Sequence, residues 1–205
     1  MKPRFVVTGT DTDIGKSVFS AALVQALKAR YWKPVQSGLE GGTDTAFIER
    51  MVPESTLPEA WRLVTPASPH LASEIDGVEI DTDALNPPTI DAPLVIEGAG
   101  GALVPVTRTV LYADIFARWQ IPVIVCARTA LGTINHSLMT IEALRARQVP
   151  IHGIAFIGDA MPDSEATIPA ISGVRRLGRL DMLPELTPET LRAGFAAGFD
   201  IADFA

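Results

Sequence analysis

The sequence predicts an α/β fold of three layers, a mostly parallel sheet flanked by helices. Three observations predict it. Apolar runs of strand length recur along the chain, helical patterns lie between them, and several runs are apolar on both faces. Strands alternating with helices argue for βαβ units, and two-sided apolar strands argue for a parallel sheet covered on both sides. The 205 residues, 47% apolar and 20% charged, fit a single domain over residues 1–205 with a full core.

The elements follow in order. RFVVT (Arg4–Thr8) is the first strand, and Ser17–Arg30 is a helix with Phe19, Leu23, Ala26 and Leu27 near one stripe. YWKPV (Tyr31–Val35) is a weaker second strand with almost no loop before it. PLVIE (Pro93–Glu97), PVIVCA (Pro122–Ala127) and IHGIAFIG (Ile151–Gly158) complete the set. Leu111–Trp119 is a short helix, and Thr133–Arg147 is the clearest, with Ile134, Leu138, Ile141 and Leu144 roughly 3.6 residues apart. Thr187-Pro188-Glu189 supplies an N-cap, an N1 proline and a first-turn acid for a helix reaching about Phe199. The segment from Pro53 to Pro93 carries seven prolines. A featureless loop of that length would be unusual, so short helices and turns packed on one edge are expected.

Bulk properties narrow the function classes. A net charge of −7 argues against a nucleic-acid surface. No run reaches the ~18 apolar residues of a spanning helix, so no membrane role is expected. Cys126 is the only cysteine and forbids an internal disulfide. Lys2 and Arg4 are not followed by a long apolar segment, so no secretory signal is expected and the location is read as cytoplasmic.

FVVTGTDTDIGKS (Phe5–Ser17) carries the chemistry: a strand, a glycine-containing turn, then a helix. Backbone N–H groups and the helix N-terminus can hold phosphate. Lys16 can reach terminal phosphates, and Ser17 can ligate Mg²⁺. The spacing is offset, because Thr10 stands where the usual phosphate-loop pattern has glycine and Gly9 precedes it. A tight turn with an ordinary surface lysine is the bland alternative. VIEGAGG (Val95–Gly101) puts Glu97 at a strand's carboxyl end, where ligands of open α/β sheets sit and where a carboxylate suits Mg²⁺. KPVQSG (Lys33–Gly38) brings Lys33 and Ser37 to the same edge. Asp44 in GGTDT precedes a short helical pattern and by itself reads as an N-cap or a metal ligand. His70, His136, His152 and Cys126 read as turn, helix-surface or packing residues.

VTGTDTDIGKS, KPVQSG, Asp44, SPH (Ser68–His70), VIEGAGG and LGTINH (Leu131–His136), in this order, resemble the dethiobiotin synthetase family over about two-thirds of the chain. The offset glycine is that family's own form of the loop. The resemblance implies a P-loop NTPase-like fold and a homodimer. It implies that ATP and Mg²⁺ drive the joining of CO₂ to 7,8-diaminopelargonate, through a carbamate and a carbamic-phosphoric anhydride. Lys16 and Lys33 would be catalytic, and Ser17, Asp44 and Glu97 the metal ligands. Thr12, Ser37 and Gly132, Thr133 and Asn135 would meet substrate, the last three in part from the partner subunit. The nucleotide would lie on Asp13, Ile14, Gly15, Lys16, Ser17, Val18, Asp44, Glu97, Gly98, Ala99 and Gly100. Its base would lie near Gly158, Asp159, Asp181, Met182 and Leu183.

The base region departs from the family pattern. Gly158 replaces an asparagine, and the proline expected near Asp181 reappears at Pro184. Looser or altered base selectivity is expected. Three alternatives remain. A cobyrinate-type synthase would need a glutaminase domain that 205 residues cannot hold. A ParA- or MinD-like ATPase switch carries an early loop lysine where this chain has Asp11, and its membrane forms end in a basic helix. A P-loop metabolite kinase explains the loop but not KPVQSG and LGTINH together.

Overall fold

The computed structural model describes residues 2–205. In chain order the main elements are β1 (Arg4–Gly9), α1 (Lys16–Leu27), β2 (Arg30–Trp32), β3 (Val35–Ser37), α2 (Asp44–Met51), β4 (Trp61–Leu63) and α3 (Pro69–Asp76). There follow β5 (Leu94–Gly101), α4 (Tyr112–Trp119), β6 (Val123–Arg128), α5 (Thr133–Arg145), β7 (Ile151–Ile157), α6 (Pro162–Ser172), β8 (Arg176–Leu180) and α7 (Pro188–Gly198). Six strands form one parallel sheet in the order β2-β5-β1-β6-β7-β8. β3 and β4 pair in a second, two-stranded sheet. The sheet carries an apolar core on each face: Val6, Ile96, Val125 and Phe156 on one, and Phe5, Val7, Val95 and Ile124 on the other. This alternation is the two-sided burial that the apolar runs predict. Among the described residues, no helix is long and apolar enough to cross a membrane.

Strand two differs from the expected single run. β2 pairs with β5 only through Trp32, and the chain then leaves the sheet at Lys33-Pro34. Proline cannot donate to a ladder, so a break there is physically reasonable. The Pro34 carbonyl instead accepts the N–H groups of Ala60 and Trp61, which starts the β3–β4 pairing. The short approach to β2 is possible because α1 ends at Leu27, earlier than expected. Lys28 adopts a left-handed conformation, and Ala29 N–H returns to the Val24 carbonyl at 2.9 Å.

The proline-rich segment folds into α3 and turns against the β2 edge, as expected, with the addition of the short strand β4. Tyr31 N–H donates to the Ser55 carbonyl, and Leu57 N–H to the Tyr31 carbonyl. An edge strand is thereby covered. Thr187 caps α7 and accepts the Thr190 N–H, with Pro188 at the first helical position, as read from the sequence. α6, β4 and β8 were not expected.

Candidate active site

β1 is the centre of the sheet, and its carboxyl end opens into the loop Thr10–Gly15 before α1. The offset glycine has a steric cause. A Cβ at Gly9 would lie 2.7 Å from the Asp11 carbonyl oxygen and 2.9 Å from Ile14 Cδ1, because the loop folds back over it. Gly15 caps α1 with φ +90°, a conformation that favours glycine. Lys16 Nζ donates to the Asp11 carbonyl at 2.8 Å. The Asp11 carboxylate accepts the Thr12 N–H at 2.8 Å and lies 3.9 Å from the Arg128 guanidinium. This loop acid therefore shapes the turn by holding one of its own N–H groups. The Asp13 side chain is exposed.

Strand register assembles the neighbouring cluster. Trp32 pairs with Ile96, so Lys33 emerges level with Glu97. The Lys33 ammonium lies 2.8 Å from Asp44 Oδ2, 3.2 Å from Glu97 Oε1 and 3.0 Å from the Gly98 carbonyl. Three N–H bonds thus meet three acceptors in a site where the side chain is 4% exposed. Ser17 Oγ lies 2.6 Å from Asp44 Oδ1 and 2.9 Å from Glu97 Oε1. Tyr31 donates to Glu97 Oε2 at 3.1 Å. Asp44 opens α2, but the N-cap is Thr43, whose side chain accepts the Ala46 N–H. Asp44 is left free of capping duty. Gln36, not singled out from the sequence, accepts the Asp44 N–H at 3.1 Å and donates to the Ser37 carbonyl. Its placement inside KPVQSG was the available signal.

Charges in this cluster are mutually dependent. Burial disfavours the Lys33 cation, yet Glu97 and Asp44 outweigh it and raise its pKa. Burial raises and Lys33 lowers the Asp44 pKa, and the lowering wins. Burial lowers the Lys16 pKa. Burial, then the Glu97 charge, hold the Tyr31 phenol well above its usual value, so it stays a donor. Burial also pushes the Cys126 thiol up, as befits an inert core residue.

Loop and cluster face one cleft of about 780 Å³. Thr12, Asp13, Ile14, Gly15, Lys16, Ser17 and Val18 line it, with Lys33, Gln36, Ser37, Asp44, Glu97, Ala99 and Gly100. Ser68 and Pro69 form part of the wall. Ser37 Oγ is buried with no partner of its own, so it can serve a ligand. A hydroxyl and two carboxylates within hydrogen-bond reach of one another form an oxygen-only donor set, which fits Mg²⁺ completed by phosphate oxygens. No three His, Cys, Asp or Glu side chains gather as a metal site among the described residues, so water or phosphate oxygens would complete any coordination.

The remaining sequence-selected residues lie outside this cleft's lining. Gly132 caps α5, Thr133 is buried in its first turn, and Asn135 is exposed and donates to Met139 Sδ. Gly158 ends β7, with its N–H on the Leu180 carbonyl and its own carbonyl accepting from Arg179. Its φ is +124°, and a Cβ there would lie 2.5 Å from Thr129 Oγ1. Asp159 is exposed, Asp181 pairs with Arg179, Met182 is 68% exposed, and Leu183 is half-buried. His152 Nε2–H donates to the Asp203 carbonyl at 2.8 Å, since a carbonyl oxygen can only accept.

A family model described as an AAA domain matches residues 3–190. The ATP-dependent dethiobiotin synthetase BioD of Sphingopyxis alaskensis is 66% identical over 201 residues, covering 98% of each chain. That of Brucella anthropi is 60% identical over 207 residues, covering 100% of this chain and 98% of its own. The solved MinC:MinD cell division protein complex of Aquifex aeolicus matches with a TM-score of 0.52 at 10% identity, over 94% of this chain and 86% of that one. At that identity the likeness concerns the fold alone. With a phosphate loop, an EGAGG strand end and a buried Lys33 on one cleft, and such relatives over its full length, the chain belongs to the ATP-dependent dethiobiotin synthetase family.

Proposed function

We propose that this chain uses ATP and Mg²⁺ to join CO₂ to 7,8-diaminopelargonate and close the ureido ring of dethiobiotin. The observation that carries the reading is the Lys33 ammonium held by Asp44, Glu97 and the Gly98 carbonyl beside the phosphate loop. One substrate amine takes up CO₂ as a carbamate. A carbamate oxygen attacks the γ-phosphorus of ATP, and the bond to ADP breaks. The second amine attacks the carbonyl carbon of the mixed anhydride, and phosphate leaves. The first transfer brings anion to anion, so charge neutralisation and positioning are the main requirements.

Each residue supplies part of that. The loop N–H groups and the α1 N-terminus hold the phosphates. Lys16, resting on the Asp11 carbonyl, is within reach of the terminal phosphate. Ser17, Asp44 and Glu97 would hold Mg²⁺, whose chemistry there is to offset phosphate charge. Lys33, with its raised pKa, stays a cation and so acts by charge rather than as a base. Thr12 and Ser37 face the substrate, and the α5 start at Gly132, Thr133 and Asn135, in part from the partner subunit of a cytoplasmic homodimer, receives the substrate carboxylate. The nucleotide base lies toward Gly158, Asp159 and Asp181–Leu183.

The test is direct. Protein, diaminopelargonate, bicarbonate, ATP and Mg²⁺ are combined, and products are followed by mass spectrometry. Dethiobiotin, ADP and phosphate are expected in equal amounts. ATP turnover indifferent to diaminopelargonate but accelerated by DNA or lipid would support a switch instead. Asp11 in place of the switch lysine supports the synthetase reading.

A further inference from the structure

We infer that Tyr31 is a positioning residue for Glu97: its hydroxyl fixes one carboxylate oxygen so that the other faces the cleft. Side chains alternate between sheet faces, so Tyr31 and Lys33 share a face, as do Val95 and Glu97. The β2–β5 register sets Tyr31 beside Val95, one step below the level of Lys33 and Glu97. The phenol therefore rises beneath the carboxylate from the core side. Tyr31 is fully buried and Glu97 is 1% exposed.

The two Glu97 oxygens have different partners. Oε1 meets Ser17 Oγ at 2.9 Å and Lys33 Nζ at 3.2 Å, on the cleft side. Oε2 meets only the Tyr31 hydroxyl, at 3.1 Å. Without that donor, Oε2 would be a buried acceptor with no partner, and the carboxylate would gain by rotating toward Lys33. A partner that orients a ligating carboxylate tunes the affinity of the ion it holds. The inference rests on the proposed role of Glu97 in holding Mg²⁺.

Tyr31→Phe removes the hydroxyl and keeps the ring. Trp32→Phe is the matched control. It deletes the neighbouring bond from Trp32 Nε1 to the Pro58 carbonyl, on the opposite face of the same strand. Two readouts are compared: the Mg²⁺ concentration at half-maximal rate, and the Mg²⁺-dependent part of the affinity for a non-hydrolysable ATP analogue by calorimetry. Melting temperature is recorded for each variant. Tyr31→Phe is expected to raise the Mg²⁺ requirement about tenfold and to reduce the Mg²⁺-dependent affinity similarly. Analogue binding without Mg²⁺ should stay unchanged, and Trp32→Phe should shift neither Mg²⁺ readout. Equal shifts in both variants would overturn the inference, because loosening of the strand would then explain them. Glu97→Gln separates the two levels. If it moves the Mg²⁺ requirement while Tyr31→Phe does not, the inference alone fails. If Glu97→Gln leaves the requirement unmoved, the role of Glu97 fails and the inference with it.

Discussion

The two flanks of β1 are built differently. On the β5–β2 side, Lys33, Asp44, Glu97, Ser17 and Tyr31 interlock through side-chain contacts of 2.6–3.2 Å. On the β7–β8 side, Gly158 offers backbone only, Met182 stands in solvent, and Arg179 pairs with Glu165 and Asp181. The first flank is rigid and charged and suits phosphates, whose charge never varies between nucleotides. The second is sparse in side-chain donors. It suits loose contact with a base, the part of the nucleotide that does vary.

The largest expected effect breaks the first flank. Lys33→Ala should lower product formation by about 10³-fold or more while nucleotide binding persists, as followed by product assay and calorimetry. Near-normal turnover would remove Lys33 from the site. Lys16→Ala should weaken nucleotide binding and turnover together, by roughly 10²-fold in kcat/KM. The second flank should respond in specificity. Replacing ATP by CTP or GTP should change kcat/KM by less than about tenfold, the scale of a lost base contact. A strong ATP preference over CTP and GTP would count against loose base selectivity. Gly158→Asn should destabilise by about 1–3 kcal/mol, since φ is +124° and its Cβ would meet Thr129 Oγ1. Adding Thr129→Ala should recover part of that loss in denaturant melts. The smallest effect lies away from both flanks. Burial holds His152 below its ordinary value of 6.5, opposed by its bond to the Asp203 carbonyl. The unfolded chain then takes up the proton more readily, so stability is lost as pH falls below about 6.5 and levels off beneath the folded pKa. His152→Gln should flatten that limb, by a few degrees at most in Tm between pH 7 and 5.

The same contrast explains what the sequence disclosed. The strand-end placing of Gly9, Lys16 and Glu97 was legible from the strand-turn-helix pattern and the VIEGAGG run. Lys33 alone reads as a surface lysine and was singled out only through the family resemblance; the structure brings Lys16, Lys33 and Glu97 to one cleft. The core strands were legible from runs such as Val123–Cys126, buried throughout. β8 was missed because arginines at 176 and 179 and Gly178 interrupt its pattern in an edge position. α6 was missed because Pro169 lies inside it and argues against a helix. β4 is three residues long and exists only through pairing with β3. Tyr31 reads as core from the sequence, and only the β2–β5 register turns it toward Glu97. Thr129 likewise acquires its meaning only in the fold, where a Cβ at Gly158, just past β7, would lie 2.5 Å from its Oγ1.

The position of β1 has a consequence for biogenesis. Arg4 pairs with Leu94 on one side, and Val6 with Val123 on the other. Being translated before β5 and β6, β1 waits for roughly a hundred further residues, about 5–20 s at ordinary rates of synthesis. During that time Phe5, Val6 and Val7 have no sheet to enter. Such non-local pairing slows folding and leaves apolar strand surface exposed meanwhile. The phosphate loop hangs from this strand, so nucleotide capture marks sheet closure. Added ATP should trap the closed state without accelerating the slow step of refolding, as stopped-flow fluorescence would record.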